Sequence, residues 1–153
     1  MSTPTLNVSF LSDDWRGVAL SNFCLYPFVL DDVLLASVEG FIQGIKFAPG
    51  HPARERAFIS SAWDAKACGK GAGKQYAYWG PQPIAFGSGA HHDLVERALR
   101  ARFAQHEGLC QVLRSTRGLV LTHETGEGPE PALTSLPAAR FCQVLTALRD
   151  ALP

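Results

Sequence analysis

The sequence has no excess of either charge, no long apolar run and no leader-like start. Its 14 Lys and Arg residues balance 14 Asp and Glu residues, which leaves no broad basic surface for duplex DNA or an anionic membrane. No apolar run reaches the roughly 20 residues that cross a bilayer. The first residues lack the basic and apolar segments of a signal peptide. We therefore expect a cytoplasmic protein that does not contact a membrane.

Motifs for metal binding and nucleophilic catalysis are incomplete. His123-Glu124 begins like a zinc-protease pair, but the residue four positions after His123 is Glu127. The segment 69–75 resembles a phosphate loop, yet its glycines are wrongly spaced and Gln75 replaces the required Ser or Thr. No serine lies in a G-x-S-x-G turn. The cysteines form no C-x-x-C pair and are expected to be reduced and mostly buried: Cys24, Cys68, Cys110 and Cys142.

The residues that are present predict a globular α+β domain. With 46% apolar and 18% charged residues, the composition is that of a folded core, and residues 1–153 fit one domain. Most of the chain is expected to be helical, with long loops at 69–90 and 126–131. Expected helices follow Ser37, Pro52, Ser61, Asp93 and Pro137, and expected short strands cover 8–10, 26–30 and 119–121.

Two polar segments could build a pocket. Ser21 and Asn22 stand beside Phe23, and Glu39, Gln43 and Lys46 fall on one side of the predicted helix after Ser37. The spacing also fits a simpler interpretation, in which Asn22 forms a turn and the helical strip faces solvent. In that case Glu39 only complements the helix dipole. The spacing alone leaves both interpretations open.

Longer motifs carry a family resemblance. Two groups of segments have the order and spacing of the YbiA-like, or NADAR, family, whose name refers to NAD and ADP-ribose. The resemblance covers roughly residues 18–150. The first group comprises Leu20-Ser21-Asn22-Phe23, Tyr26-Pro27-Phe28, Asp31-Asp32, Ser37-Val38-Glu39 and Gln43-Gly44-Ile45-Lys46-Phe47, and the second comprises 97–106 and Leu113-Arg114-Ser115-Thr116.

The resemblance implies an N-glycosidase with a mostly helical fold and short strands. Family members cleave the bond between a nitrogenous base and a phosphorylated ribose, acting on riboflavin-pathway intermediates or on ADP-ribosylated groups. Breaking a C1'–N bond builds positive charge on the sugar, which a nearby carboxylate stabilises. Glu39 is the expected principal carboxylate, and Glu127 is either a second one or a solvated loop residue. No cofactor or metal is expected.

The resemblance also implies substrate contacts. Lys70 and Lys74 would hold a 5'-phosphate. Trp79 would stack on the base or, in the simpler interpretation, cover the core. Arg102 stands where the family usually has lysine, and a guanidinium does not replace an ammonium in every role. The remaining expected contacts line the pocket: Ser21, Asn22, Phe23, Gln43 and Lys46.

The chain departs from the family pattern after residue 127. Pro129-Glu130-Pro131 replaces the family's Trp-Gly, the following glycine-rich loop is shortened to 132–137, and Gly40 stands where many relatives have histidine. One alternative to an enzyme is therefore a module that binds NAD or ADP-ribose without hydrolysing it. Another is a protein-interaction domain with a vestigial pocket. The expected partner is a small phosphorylated nucleoside-like molecule or ADP-ribose, favoured over a modified DNA base.

Overall fold

The computed structural model describes residues 2–153 and has the predicted α+β architecture. These residues form seven helices and six three-residue strands. They are β1 (Thr5–Asn7), α1 (Trp15–Leu20), β2 (Phe28–Leu30), β3 (Val33–Leu35), α2 (Val38–Gly44), α3 (Pro52–Phe58), α4 (Ala62–Cys68), β4 (Tyr76–Tyr78), β5 (Pro83–Ala85), α5 (Gly89–Ala104), α6 (Glu107–Arg114), β6 (Val120–Thr122) and α7 (Ala138–Ala151).

The strands form three separate two-stranded sheets. β1 pairs with β6 in parallel, with Leu6 opposite Leu121, and this pairing joins the start of the chain to the segment between α6 and α7. β2–β3 and β4–β5 are antiparallel hairpins. The first hairpin turns at Asp31 and Asp32, whose φ angles of 47° and 65° are those of a tight hairpin turn that aspartate tolerates.

Helix α2 is the centre of the fold. Every residue of this helix is buried, and it packs against α3, α4 and α5. Its start is capped by Ser37, whose Oγ accepts a hydrogen bond from the Gly40 N–H at 2.9 Å. A Cβ at Gly40 would lie 2.3 Å from the Ala57 carbonyl oxygen, so only glycine allows α3 to approach this closely. Polar side chains on α2 are thereby held in the interior rather than in solvent.

Several predicted boundaries were wrong. The first strand covers Thr5–Asn7 and not 8–10, because its pairing with β6 decides the position. The expected loop at 69–90 contains the β4–β5 hairpin. Helix α5 begins at Gly89, four residues before Asp93, since Ser88 caps it by accepting the His91 N–H. The helix predicted after Ser37 was expected to end at Pro49-Gly50, but α2 ends at Gly44. Segment 107–114 was expected only as a short apolar segment, and it forms the helix α6.

The cysteines are unpaired as expected, but all four are half-buried rather than buried. No helix in the described part of the chain has the length and apolar character needed to cross a membrane.

Candidate active site

A cavity of about 340 Å³ opens beside the start of α2. Its walls come from five separate parts of the chain: the loop after β1, the turn after α1, helices α2 and α4, and the segment from β6 into α7. The lining residues are Ser9, Phe10, Leu11, Ser21, Asn22, Phe23, Glu39, Ile42, Gln43, Lys46, Trp63, Lys66, His123, Thr125, Glu127, Thr134, Ser135, Leu136 and Phe141.

Glu39 and Gln43 form a buried polar pair on α2. Each is only 8% exposed, and the Gln43 side-chain amide donates to Glu39 Oε1 at 2.7 Å. The four-residue spacing places both side chains on one face of the helix. Burial raises the pKa of the Glu39 carboxyl, while the hydrogen bond from Gln43 and the charges of Lys46, Lys66 and His123 oppose that rise.

The pKa of Lys46 is shifted in the opposite direction to that of Glu39. Burial lowers the pKa of its ammonium group, Glu39 partly offsets this by attraction, and Lys74 and Lys66 add to the lowering by repulsion. The cavity therefore contains a partly desolvated carboxylate and a partly desolvated ammonium that stabilise one another's charged forms.

The turn at Ser21 and Asn22 is fixed from both sides. The Glu39 N–H donates to the Asn22 carbonyl at 2.9 Å, which joins the turn to the start of α2. The buried Arg102 guanidinium also holds this turn, since it donates to the Ser21 carbonyl at 2.8 Å and to the Leu20 carbonyl at 3.1 Å. The Asn22 Oδ1 is buried and has no hydrogen-bond partner in the described structure. It is an acceptor available to a ligand N–H or O–H.

The rim of the cavity is aromatic and charged. The rings of Phe23 and Trp63 meet edge to face with centroids 5.0 Å apart. Lys66 Nζ lies 5.5 Å from the Trp63 ring centroid and forms an ion pair with the exposed Glu127. The sequence reasoning missed both Trp63 and Lys66, although their three-residue spacing on a predicted helix was a visible signal.

His123 was considered in the sequence only as an incomplete metal motif. In the structure its Nδ1–H donates to the Val8 carbonyl at 2.7 Å, and its ring meets Phe141 edge to face at 4.9 Å. The bond to Val8 leaves Nε2 as the nitrogen available to a ligand. Among residues 2–153 there is no group of three or more His, Cys, Asp or Glu side chains that could hold a metal ion.

Seven of the predicted site residues line this one cavity: Ser21, Asn22, Phe23, Glu39, Gln43, Lys46 and Glu127. Four do not. Lys70 and Lys74 are exposed in the segment after α4, although Lys74 is close enough to act on Lys46. Trp79 packs against Phe41, as in the simpler interpretation.

The fourth residue outside the cavity, Arg102, is fully buried. Its guanidinium is committed to backbone carbonyls of the turn and not to the cavity. Burial lowers the pKa of Arg102 to about 10, which leaves it charged at neutral pH. Its contribution to the site is to position Ser21 and Asn22.

Comparison with known proteins shows the family of this chain and the fold that it shares. Residues 14–150 match the sequence family described as bacteriophage protein GP30.3. The chain belongs to the GP30.3 family. This GP30.3-family chain is 34% identical over 146 residues to the uncharacterized 17.1 kDa protein in the Gp30-rIII intergenic region of Enterobacteria phage T4, covering 90% of this chain and 93% of that protein.

The fold of this GP30.3-family protein is similar to the NMR structure of the E. coli protein YbiA. The TM-score is 0.67 at 24% sequence identity, over 98% of this chain and 85% of that one. The YbiA-like fold that the sequence resemblance implied and the predicted fold class are thereby confirmed. At this level of identity the similarity shows the fold, and the activity is a separate question.

Proposed function

We propose that this protein is an N-glycosidase that hydrolyses the C1'–N bond of a phosphoribosylated or ADP-ribosylated base. The observation that carries the proposal is the buried Glu39, held by Gln43 at the wall of a cavity of about 340 Å³ in a YbiA-like fold. A volume near the lower end of the roughly 300–1,000 Å³ typical of small-molecule sites suits a nucleotide-sized ligand.

The proposed reaction uses the ionised form of Glu39. As the C1'–N bond breaks, the base leaves with the electron pair and positive charge develops on the ribose. The Glu39 carboxylate stabilises that charge, because electrostatic stabilisation is strong in a partly desolvated site. Water then adds to C1' and releases a proton, and the departing base nitrogen gains one. Lys46 and Gln43 favour ionised Glu39, which burial alone would disfavour.

The other lining residues have binding roles in this proposal. Asn22 Oδ1 accepts a hydrogen bond from the ribose or base, Phe23 forms a wall, and Lys46 and Lys66 attract the phosphate. Glu127 is exposed and paired with Lys66, so we place it at the rim rather than beside the reacting atoms. The cytoplasmic location stays a prediction.

One observation favours a second candidate, a module that binds NAD or ADP-ribose without hydrolysis. Pro129-Glu130-Pro131 stands where the enzymes that the sequence resembles carry Trp-Gly. In such a module the same buried residues would bind the ligand. Substituting Glu39 would then change the affinity for the ligand, and neither wild type nor the variant would release base.

The test compares wild type, Glu39→Gln and Glu55→Gln, the last being an exposed glutamate on α3 that serves as a matched control. Each is incubated with 5-amino-6-(5-phosphoribosylamino)uracil, NAD and ADP-ribosylated guanosine, and released base is measured by mass spectrometry. We expect release by wild type and Glu55→Gln but not by Glu39→Gln. Equal release by Glu39→Gln would refute its role. Thermal stabilisation by ligand without any release would identify the binding module.

A further inference from the structure

Three aromatic side chains form a continuous surface at the cavity mouth, here called the aromatic shelf: Phe10, Phe23 and Trp63. The Phe10 and Phe23 ring centroids are 5.5 Å apart, and those of Phe23 and Trp63 are 5.0 Å apart. Unlike core aromatics, the outer two stay open to solvent, with Phe10 37% and Trp63 54% exposed. An exposed cluster of rings that continues into a cavity marks a binding surface.

The backbone that presents Trp63 is strained. Ala62 has a φ of +51°, in the left-handed region that is disfavoured for any residue with a Cβ. Its N–H donates to the Phe23 carbonyl at 2.9 Å, so the strained residue joins the two halves of the shelf. Backbone strain of this kind tends to occur at ligand-binding positions, and here it sets the start of α4 that carries Trp63.

The charges beside the shelf suit a phosphate-bearing ligand. Lys66 lies 5.5 Å from the Trp63 ring centroid and lines the same cavity as Lys46. An anionic group placed between the cavity and the shelf would therefore meet two ammonium groups, and at Lys66 it would take the place of the exposed Glu127 carboxylate. The net charge is zero, so the chain has no overall excess of basic residues of the kind that favours nucleic-acid binding.

We propose that the aromatic shelf is a second binding subsite, which stacks a planar ring joined through phosphate to the sugar in the cavity. This rests on the proposed function and deepens it: the favoured ligand is of the nucleoside-diphosphate-sugar type, with one sugar at Glu39 and a second base on Trp63. Aromatic stacking tolerates any base because every base has a π face. The cavity binds the sugar, and the aromatic shelf adds affinity for a ligand that carries a second ring.

The test measures binding of ADP-ribose and of ribose 5-phosphate by isothermal titration calorimetry. Wild type is compared with Trp63→Ala, with Trp63→Phe, and with Trp15→Ala, a control at another exposed tryptophan that lies outside the cavity. Stacking on an aromatic side chain corresponds to about 5- to 150-fold in affinity. Because Trp63 is half exposed, we expect a loss of about 5- to 30-fold for ADP-ribose and none for ribose 5-phosphate.

Trp63→Phe should restore most of the ADP-ribose affinity, and Trp15→Ala should change neither ligand. Thermal unfolding of each variant without ligand checks that the fold is retained. Equal losses for both ligands, or no loss for either, would overturn the subsite while leaving the proposed function standing. A single-stranded DNA oligonucleotide is titrated in the same way, and a loss of affinity in Trp63→Ala for the oligonucleotide alone would overturn the subsite in favour of nucleic acid. Failure of wild type to bind either sugar phosphate, with no turnover of the base-release panel, would overturn the proposed function itself.

Discussion

Acidification should destabilise this protein through one buried histidine, His91. This residue lies in the first turn of α5 and is 0% exposed. The Gly87 N–H donates to its Nδ1 at 3.0 Å, so Nδ1 carries no proton, and Nε2 has no partner in the described structure. Burial, reinforced by repulsion from His92 and Lys46, lowers the pKa of His91 to about 4. A second proton would therefore be accepted only with loss of the bond to Gly87.

The sign and size of the effect follow from linkage. In the unfolded chain a histidine has a pKa near 6.5. Between pH 6.5 and pH 4 the unfolded chain binds a proton that native His91 does not, so the free energy of unfolding falls as the pH falls. One pH unit corresponds to about 1.4 kcal/mol, so a pKa of about 4 in the native state implies a total loss of about 3 kcal/mol. Below pH 4 both states carry the proton and the loss stops growing.

Urea unfolding at closely spaced pH values from 7.5 to 4 measures this loss. His91→Asn is the informative variant, because the asparagine Oδ1 can accept the Gly87 N–H but cannot titrate. Both proteins share every carboxylate, so the difference between their pH profiles isolates His91. His51→Asn is the matched control, since the Nδ1 of this exposed histidine accepts the Ala53 N–H at 3.0 Å.

We expect the stability advantage of wild type over His91→Asn to shrink by about 3 kcal/mol on going from pH 7 to pH 4. Parallel profiles for the two proteins would refute the reasoning. So would a difference that develops only below pH 4, where the native histidine is already protonated.

Three further predictions concern the cavity and its support. Burial raises the pKa of Glu39 above 4.5, so the contribution of this residue to stability falls as the pH rises through the native pKa. Glu39→Gln should therefore raise the melting temperature at pH 7.5 and not at pH 4. A melting temperature of the variant below that of wild type at pH 7.5 would contradict this. Gly69 has a helical φ of −77°, but an added Cβ would lie 1.8 Å from Gln43 Oε1. Gly69→Ala should therefore weaken ligand binding in calorimetry while changing the free energy of unfolding by less than about 1 kcal/mol, and unchanged affinity would count against the Glu39–Gln43 pair. Arg102→Met leaves two buried carbonyls unpaired at about 1–3 kcal/mol each, partly offset by removal of a buried charge. A net loss of about 2 kcal/mol and weaker ligand binding are expected, and Arg102→Met showing wild-type values for both would refute the positioning role.

Local sequence signals predicted the parts of the site that depend on one element. Ser37 as a cap and the four-residue spacing of Glu39 and Gln43 follow from helix geometry, and α2 places both as expected at the cavity. The turn at Asp31 was also visible, since aspartate tolerates positive φ. The spacing could not decide whether the strip faced solvent or the interior. That depends on α3 and α5 packing around α2, which is a tertiary property.

The missed residues depend on contacts between distant segments. Trp63 reaches the rim because Ala62 takes a left-handed conformation and bonds to Phe23, and no propensity favours alanine there. His123 enters the cavity because β6 pairs in parallel with β1 more than 110 residues away along the sequence. Such pairings leave little trace in the composition of either segment.

Arg102 shows what a family resemblance transfers and what it does not. The resemblance assigned Arg102 to substrate binding, whereas the structure places its guanidinium 2.8 Å from the Ser21 carbonyl oxygen and outside the lining of the cavity. The same turn bonds to the Glu39 N–H through Asn22. Arg102 is thus linked to Glu39 through a side-chain hydrogen bond to the Ser21 carbonyl and a backbone hydrogen bond at Asn22, without lining the cavity itself. A residue can therefore be important to a site because it fixes the backbone that forms the wall.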